Sequence, residues 1–400
     1  MICSPTVHTI DMEIIQKILF PYLLDGSVVD DQERIAIFFG TDFYNLPIGS
    51  DQKLFIDRTN AMLAYVRRHF PGSRLLYQPH PNEKDEYTLL DLTGFEVGKR
   101  TIADVLLFEQ ASRIDGVFAA CSWAAASAYS MGFRAGVFLD LLEGAIPDDA
   151  LIGYKSYFAG FPDSFFIRSF EQELPPHPPA QEEEKKRALA AIEEAVGGAK
   201  TVWFLSSNPA YVVHAAILAE HLKAKRHMTV NLVLVRSFRW RIIEDVAFYK
   251  AFDQIVSVQP QRYTARPQRF LGILRNALEL WRLPIRPGDA VISFAHAQFA
   301  ENGILSWYPR IKKILMLENH WYHFNYKEGW KTLPPKDFRV QPGVRFFNAV
   351  VEPLLGLHKT VYKEHADGKA VNIVRYALPL EEVYDAVFVL LPPNNFTEEK

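Results

Sequence analysis

A histidine held between two prolines is the part of this sequence best suited to chemistry. His80 lies between Pro79 and Pro81, directly after the apolar stretch 75–78. Each proline fixes its own φ and disfavours the helical conformation of the residue before it, so His80 is held in an extended backbone. Ligands of open α/β sheets bind at the carboxyl ends of strands. We therefore expect His80 to meet a ligand; the alternative is a rigid loop in which it only caps a carbonyl.

A second candidate is a serine at the start of a segment of small residues. Ser122 follows the apolar stretch 116–120 and precedes three consecutive alanines, which is typical of the N-cap of a helix. The start of such a helix offers free amides and the positive end of its dipole to a phosphate. Ser122 and His80 are therefore predicted to hold one phosphate, and an ordinary capping serine is the alternative.

Strands that alternate with helices must position both residues. In the first half, apolar runs predict strands at 34–40, 74–78, 116–120 and 135–139, with helices at 53–70, 102–111 and 122–131. In the second half, strands are predicted at 201–205, 229–235, 254–258, 290–294 and 313–317. This rhythm predicts an α/β fold with parallel sheets. We expect two Rossmann-like domains facing each other across a cleft, a common place for a ligand.

A proline-rich spacer marks the predicted boundary between the halves. Four prolines fall within 175–179, and a charged helix is predicted at 181–196. The predicted divisions are a nucleotide-binding domain at 1–172, a linker with the charged helix at 173–199, an acceptor-side domain at 200–384 and a C-terminal segment at 385–400. The apolar tail 385–393 is similar in character to the strand at 34–40, as if a nucleotide-binding half began again.

Composition excludes several classes of protein. The 400 residues are 49% hydrophobic and 23% charged with a net charge of −3, which is typical of a globular protein without a field that attracts nucleic acid. Cys3 and Cys121 are far apart and predict neither a disulfide framework nor a metal site. No signal peptide and no apolar run of about 18 residues is recognisable, so we expect a cytoplasmic protein.

The order of these motifs resembles the nucleotide-binding domain of bacterial sialyltransferases and related glycosyltransferases that use CMP-activated sugars. The shared pattern is an apolar strand, Pro-His-Pro-x-Glu, a helix with an acidic residue, another strand, and a serine before a small-residue helix. The resemblance implies a GT-B fold in which the histidine and the serine hold the phosphate of CMP. Carried over, they are His80, with Pro81 beside it, and Ser122, while Asp104 would contact the nucleoside.

Three further residues belong to the predicted nucleotide site. Gly40 and Thr41 form the turn after the first strand, and Ser127 is a candidate for the second hydroxyl that the family often carries. The family often has two adjacent serines, whereas Cys121 and Trp123 flank Ser122 here.

The second half resembles the acceptor-side domain of the same enzymes. Ser207 and Asn208 follow its first strand and, with Trp321, are predicted to contact the sugars. Glu318 follows an apolar run at the place of the acidic motif, which in the family supplies the general base. His320 is a further catalytic candidate, and His80 would stabilise the leaving phosphate. Attack by a carboxylate on the anomeric carbon, as in retaining transfer, stays open as an alternative.

The implied function is transfer of an acidic keto-sugar, of the sialic acid or Kdo type, from a CMP-activated donor to a glycan or lipid-linked glycan acceptor in bacterial surface polysaccharide synthesis. We expect no metal and no other cofactor. The halves stand in the opposite order to the family, which indicates a permuted enzyme or part of a tandem array. A transferase for UDP- or GDP-sugars and a non-catalytic scaffold of a polysaccharide assembly complex are the alternatives.

A cationic and aromatic cluster in the second half raises a further expectation. Arginines and aromatic residues alternate at 236–241, and Arg262, Arg266 and Arg269 follow. Such a cluster could receive an anionic acceptor or rest peripherally on the inner face of an acidic membrane. A solvated rim is the favoured interpretation.

Overall fold

The computed structural model describes most of the chain, and its residues fall into two compact units. The described residues are 7–11, 33–42, 46–80, 83, 86–99, 103–158, 161–178, 182–206, 209–235, 247–258, 270–294, 298–318, 338–339, 342–365 and 373–391. Those within 1–11 and 187–391 form the larger unit, and those within 12–186 form the smaller one. The first strand, β1 (Val7–Asp11), thus belongs to the larger unit, whereas the sequence-based division assigned residues 1–172 to one domain.

The smaller unit is built from five strands and four helices among its described residues. The strands are β2 (Ile35–Phe39), β3 (Arg74–Gln78), β4 (Phe95–Val97), β5 (Ile114–Ala119) and β6 (Ala135–Val137). The helices are α1 (Gln52–His69), α2 (Ala103–Glu109), α3 (Trp123–Ser130) and α4 (Asp148–Tyr157). Short 3₁₀ turns lie at Glu86–Leu89, Leu139–Leu142 and Asp163–Phe165.

The strand order of this unit creates a crevice beside β2. The five strands are all parallel and lie in the order β4-β3-β2-β5-β6. All five residues of β2 are buried, as expected for an apolar strand covered on both faces. The chain runs outward from β2 through β3 to β4 and then returns to the other side of β2 as β5. The connections that leave the carboxyl ends of β2 and β5 therefore run to opposite sides, which makes this point the switch point of the sheet. Ligands of open parallel sheets bind at such a point.

The larger unit contains longer strands and more helices. Its strands after β1 are β7 (Thr201–Ser206), β8 (Thr229–Val235), β9 (Gln254–Val258), β10 (Ala290–Ser293), β11 (Lys312–Glu318), β12 (Phe338–Arg339), β13 (Thr360–His365), β14 (Ile373–Tyr376) and β15 (Ala386–Leu391). Its helices are α5 (Glu182–Val196), which belongs to this unit from Arg187 onward, α6 (Pro209–Arg226), α7 (Phe270–Trp281), α8 (Phe299–Trp307), α9 (Pro342–Phe346), α10 (Glu352–Leu355) and α11 (Leu380–Val383). A 3₁₀ turn lies at Ala247–Ala251 and a π-helical turn at Phe347–Val351.

Seven of these strands form a second parallel sheet. Their order is β1-β15-β11-β10-β7-β8-β9, and a separate antiparallel sheet has the order β12-β13-β14. The switch point of the large sheet lies between β7 and β10. The segment predicted to stand apart at 385–400 supplies β15, which pairs with β1 on one side and β11 on the other. Its apolar residues are explained by this interior position, not by the start of another nucleotide-binding half.

Both units combine parallel strands with helices, so the predicted α/β class with two Rossmann-like parallel sheets is confirmed. In the smaller unit, one apolar core joins β2, β3 and β5 to α1 and α3. Helix α1 begins where the Asp51 carboxylate accepts a hydrogen bond from the Leu54 amide, at 3.0 Å. Its last turn contains Arg67 and Arg68, whose cationic side chains complement the negative end of the helix dipole.

Candidate functional site

Five residues predicted to bind the nucleotide line one cavity at the carboxyl edge of the small sheet. The cavity measures about 180 Å³, and its lining includes Gly40, His80, Asp104, Ser122 and Ser127. The first, second and fourth of these follow β2, β3 and β5, so the cavity lies at the switch point. It is smaller than the ~300–1,000 Å³ of pockets that enclose a drug-sized ligand. Its size suits a phosphate with part of an attached group.

The turn that holds His80 is organised by a buried carboxylate. The His80 amide donates to Glu83 Oε2 at 2.9 Å, and the Glu83 amide donates back to the His80 carbonyl at 2.9 Å. The Tyr77 hydroxyl donates to Glu83 Oε1 at 3.0 Å, and Glu83 is fully buried. These bonds fix the backbone of His80 independently of its side chain. The glutamate of the Pro-His-Pro-x-Glu pattern is therefore a positioning residue that the predicted site omitted.

The imidazole of His80 points into the cavity and has an acidic neighbour. Its Nδ1 lies 3.9 Å from Oδ2 of Asp42, and 36% of the side chain is exposed. Asp42 is itself buried. A protonated His80 forms an ion pair with this carboxylate and still presents its other ring nitrogen as a donor. No local pattern in the sequence indicates that Asp42 and His80 lie together.

Gly40 is required because the end of β2 lies very close to the turn that carries His80. A Cβ at this position would lie inside contact distance of the Tyr77 hydroxyl oxygen and 2.7 Å from Glu83 Oε2. The Gly40 amide donates to the Gln78 carbonyl at 2.8 Å, which joins the end of β2 to the end of β3. Glycine therefore lets the end of β2 lie directly against the turn that carries His80.

Ser122 is the N-cap of α3, as predicted. Its backbone is extended, with φ −86° and ψ 139°, and its Oγ accepts a hydrogen bond from the Ala124 amide at 3.2 Å. The hydroxyl proton is not used by this bond, so Ser122 can still donate to an anion. The whole of α3 after its first residue is buried, because small side chains let it pack tightly.

Asp104 and Ser127 approach the cavity from two different helices. Asp104 lies in the first turn of α2, and Ser127 lies one turn into α3 with 3% of its surface exposed. Trp123, the first residue of α3, also lines the cavity although sequence reasoning treated it only as a departure from the family pattern.

Thr41 is half-buried, does not line this cavity, and forms a hydrogen bond with Cys121. Burial raises the pKa of the Cys121 thiol to about 12, so this cysteine is not a thiolate nucleophile at neutral pH.

For the remaining predicted residues, the structure describes no side chain. Pro81, Ser207, Asn208, His320 and Trp321 lie outside the described residues, as does the cationic cluster at 236–241. Glu318 is the last residue of β11, at the carboxyl edge of the large sheet, and its side chain is outside the description. Their roles stay predictions.

A buried carboxyl group in the larger unit was missed by sequence reasoning. Glu301 lies in the first turn of α8, the helix that follows β10 at the switch point of the large sheet. It is fully buried, and neither of its carboxyl oxygens has a hydrogen-bond partner among the described residues. Burial raises its pKa from 4.5 to about 7. No residue pattern around Glu301 distinguishes it from a solvated glutamate near the start of a helix.

Two kinds of feature are absent from the described part of the chain. Within those residues, no three or more histidine, cysteine, aspartate or glutamate side chains are grouped so as to hold a metal ion. Within the same residues, no helix combines the length and the apolar character needed to span a membrane.

Comparison with known proteins gives one weak structural likeness. No protein-family model matches the chain, and no curated protein matches it significantly. The chain has a TM-score of 0.20 and 10% identity to the crystal structure of UDP-GlcNAc 2-epimerase from Neisseria meningitidis bound to UDP-GlcNAc, with 71% of this chain and 82% of that chain covered. A likeness at this score carries no argument about activity, so the functional evidence is the geometry of the cavity.

Proposed function

We propose that the cavity holds the phosphate of a CMP-activated acidic sugar and that the chain is a glycosyltransferase for bacterial surface glycans. The observation that carries this proposal is the convergence of His80 and Ser122 on one cavity at the switch point of a parallel sheet. The sequence resemblance assigns these two residues to the phosphate of CMP. Had they faced different sides of the sheet, no single phosphate could have contacted both.

Each lining group has a definite task in this proposal. Breaking the bond between the sugar and CMP leaves negative charge on the phosphate, and preorganised donors lower the barrier to that step. A ring N–H of His80 and the hydroxyl of Ser122 are such donors, and the positive end of α3 adds to them. Asp104 accepts a hydrogen bond from the nucleoside.

A base must also remove the proton of the acceptor hydroxyl. We assign this task to Glu318 because β11 ends there, at the carboxyl edge of the large sheet. His320 is the second candidate, and Ser207, Asn208 and Trp321 are proposed to contact the sugars. The acceptor is a glycan or a lipid-linked glycan, and the chain's own residues carry out the transfer without a metal.

Calorimetric titration of the full chain with CMP, UDP and GDP tests the proposal. CMP should bind most tightly, and His80→Ala and Ser122→Ala should each weaken CMP binding by about 10- to 100-fold, because each removes a hydrogen bond to a charged group. His177→Ala and Ser169→Ala are matched controls. His177 is an exposed histidine of the same unit. The Ser169 Oγ accepts a hydrogen bond from the Glu171 amide at 3.1 Å, just as the Ser122 Oγ accepts one from the Ala124 amide.

Turnover of CMP-sialic acid and CMP-Kdo tests the catalytic part. Glu318→Gln should abolish transfer while leaving the affinity for CMP unchanged. Tighter binding of UDP or GDP than of CMP would replace the donor assignment by the alternative transferase. CMP binding that is unaffected by both His80→Ala and Ser122→Ala would show that the phosphate site is wrong.

A further inference from the structure

The indole of Trp123 is held at the edge of the cavity by a cluster of buried aromatic rings. Trp123 lines the cavity and is 38% exposed. Its ring centroid lies 5.8 Å from that of Phe158 at an interplanar angle of 31°, and 6.2 Å from that of Phe161 at 89°. Both phenylalanines are buried. One side of the indole is thus packed against the core while the rest of its surface is accessible.

Such a ring is preorganised for stacking. Phe161 is itself stacked on the fully buried Phe165 at 4.6 Å, so the support behind Trp123 is continuous with the core. Because these contacts already order the indole, its side chain loses little further entropy when a ligand stacks on it. An exposed aromatic ring fixed in this way is typical of a recognition surface.

The rest of the lining indicates what stacks there. Phe39, Pro79 and Ala103 are apolar, and the polar groups of the lining are those already assigned to the phosphate and the nucleoside. A sugar ring would bring several hydroxyl groups that need partners in this apolar part, and unmet partners are costly. A flat heterocycle brings apolar faces and confines its polar atoms to its edge. Trp123 and Ser122 line the same cavity, so the indole and the proposed phosphate position share it.

We propose that Trp123 is the platform on which the nucleobase stacks, an inference that rests on the proposed nucleotide site. Stacking involves the π-face that every base has, so it tolerates different bases. Trp123 therefore supplies affinity for any nucleoside monophosphate, and the choice between cytosine and uracil depends on polar groups at the edge of the base. A carboxylate such as that of Asp104 accepts from the exocyclic amino group of cytosine, whereas uracil carries a carbonyl acceptor at that position.

Titrations of the full chain with CMP, UMP and ribose 5-phosphate test this inference. Trp123→Ala should weaken the binding of CMP and of UMP by the same factor, about 5- to 150-fold, which is the effect of losing one stacked base. Ribose 5-phosphate lacks a base, so its affinity should change by less than about twofold. Trp123→Phe should retain most of the affinity for CMP, since it keeps a flat ring.

Two further variants keep the test interpretable. Trp123→Leu preserves an apolar side chain against Phe158 without a flat ring, and should behave like Trp123→Ala even if the alanine variant is unstable. Trp281→Ala removes a tryptophan that is 65% exposed in the larger unit, and should leave all three affinities unchanged. Thermal unfolding of each variant reports whether the fold is intact.

The outcomes separate this inference from the proposed function. CMP affinity that falls in His80→Ala and is unchanged in Trp123→Ala and Trp123→Leu would overturn the stacking role alone. Equal losses for CMP and ribose 5-phosphate in Trp123→Leu would show that the indole supports the fold instead of the base. Failure of the wild-type chain to bind CMP and UMP would overturn both.

Discussion

The two parallel sheets each bring a fully buried glutamate to their carboxyl edge, and the two glutamates have opposite surroundings. Glu83 of the smaller unit accepts hydrogen bonds from the Tyr77 hydroxyl and the His80 amide. Glu301 of the larger unit has no hydrogen-bond partner for either oxygen among the described residues. A shared topology therefore places polar groups at equivalent edges, but packing decides their use. Glu83 organises the turn that carries His80, and burial destabilises the charged form of Glu301.

The largest effect should come from neutralising Glu301. Because burial raises its pKa from 4.5 to about 7, the free energy of unfolding falls as the pH rises between these values and is level above them. The difference between the two values corresponds to about 3 kcal/mol. Glu301→Gln, which cannot ionise, should stabilise the larger unit by up to that amount at pH 8 and have little effect at pH 4. Urea unfolding at several pH values measures it.

A control and a second buried carboxyl limit what this experiment can show. Glu382→Gln changes an exposed glutamate of the same unit and should leave the pH dependence unaltered. Burial also raises the pKa of Glu352 to about 7, and its Oε1 accepts a hydrogen bond from the Thr360 amide at 3.0 Å. Because of Glu352, the free energy of unfolding of Glu301→Gln should still fall as the pH rises, but by less than that of the wild-type chain. Unchanged stability of Glu301→Gln at pH 8 would mean that Glu301 has partners in solution and that the contrast with Glu83 is false.

The next effect tests the tight turn of the smaller unit. Gly40→Ala should destabilise this unit by about 1–3 kcal/mol, since the new methyl group overlaps the Tyr77 hydroxyl and the Glu83 carboxylate. It should also displace the His80 turn and weaken CMP binding. Gly72→Ala is the matched control, because no atom lies within 4 Å of a Cβ built there. If Gly40→Ala is as stable and binds as well as Gly72→Ala, the turn is not as tightly packed as the structure describes.

The smallest effect concerns the cap of α3. Ser122→Ala should lower the free energy of unfolding by about 1 kcal/mol, because the Ala124 amide loses its acceptor. Asp51→Ala removes the corresponding cap of α1 and should cost a similar amount without changing the affinity for CMP. Thermal unfolding and calorimetry together distinguish a serine that only caps a helix from one that also binds the phosphate.

Local patterns in the sequence predicted most of the secondary structure near the site. The predicted strands at 74–78, 229–235 and 254–258 agree residue for residue with β3, β8 and β9, and the helix start at Ser122 is confirmed. These segments are identified by long apolar runs and by capping residues, which depend on neighbours in the chain. The strand β4 was missed because only its first residue is buried and a glutamate interrupts it, so it forms no apolar run.

Contacts between distant segments could not be predicted in the same way. No local signal indicates that β15 lies between β1 and β11, since β1 and β15 come from opposite ends of the described chain. Trp123 was not predicted to line the cavity because the rings that hold it, Phe158 and Phe161, are distant in sequence. Glu301 follows the same rule: its burial depends on what packs over α8.

The sequence by itself determined that the chain alternates strands and helices and that a rigid histidine and a capping serine follow two of those strands, because proline geometry and helix capping are local effects. Only the tertiary structure decided that both residues line one cavity and which strands are neighbours in each sheet. It also decided that Glu83 has hydrogen-bond partners, whereas the Glu301 carboxyl group has none among the residues that the structure describes. Strand order and burial depend on contacts summed over the whole fold, and no short stretch of residues contains that information.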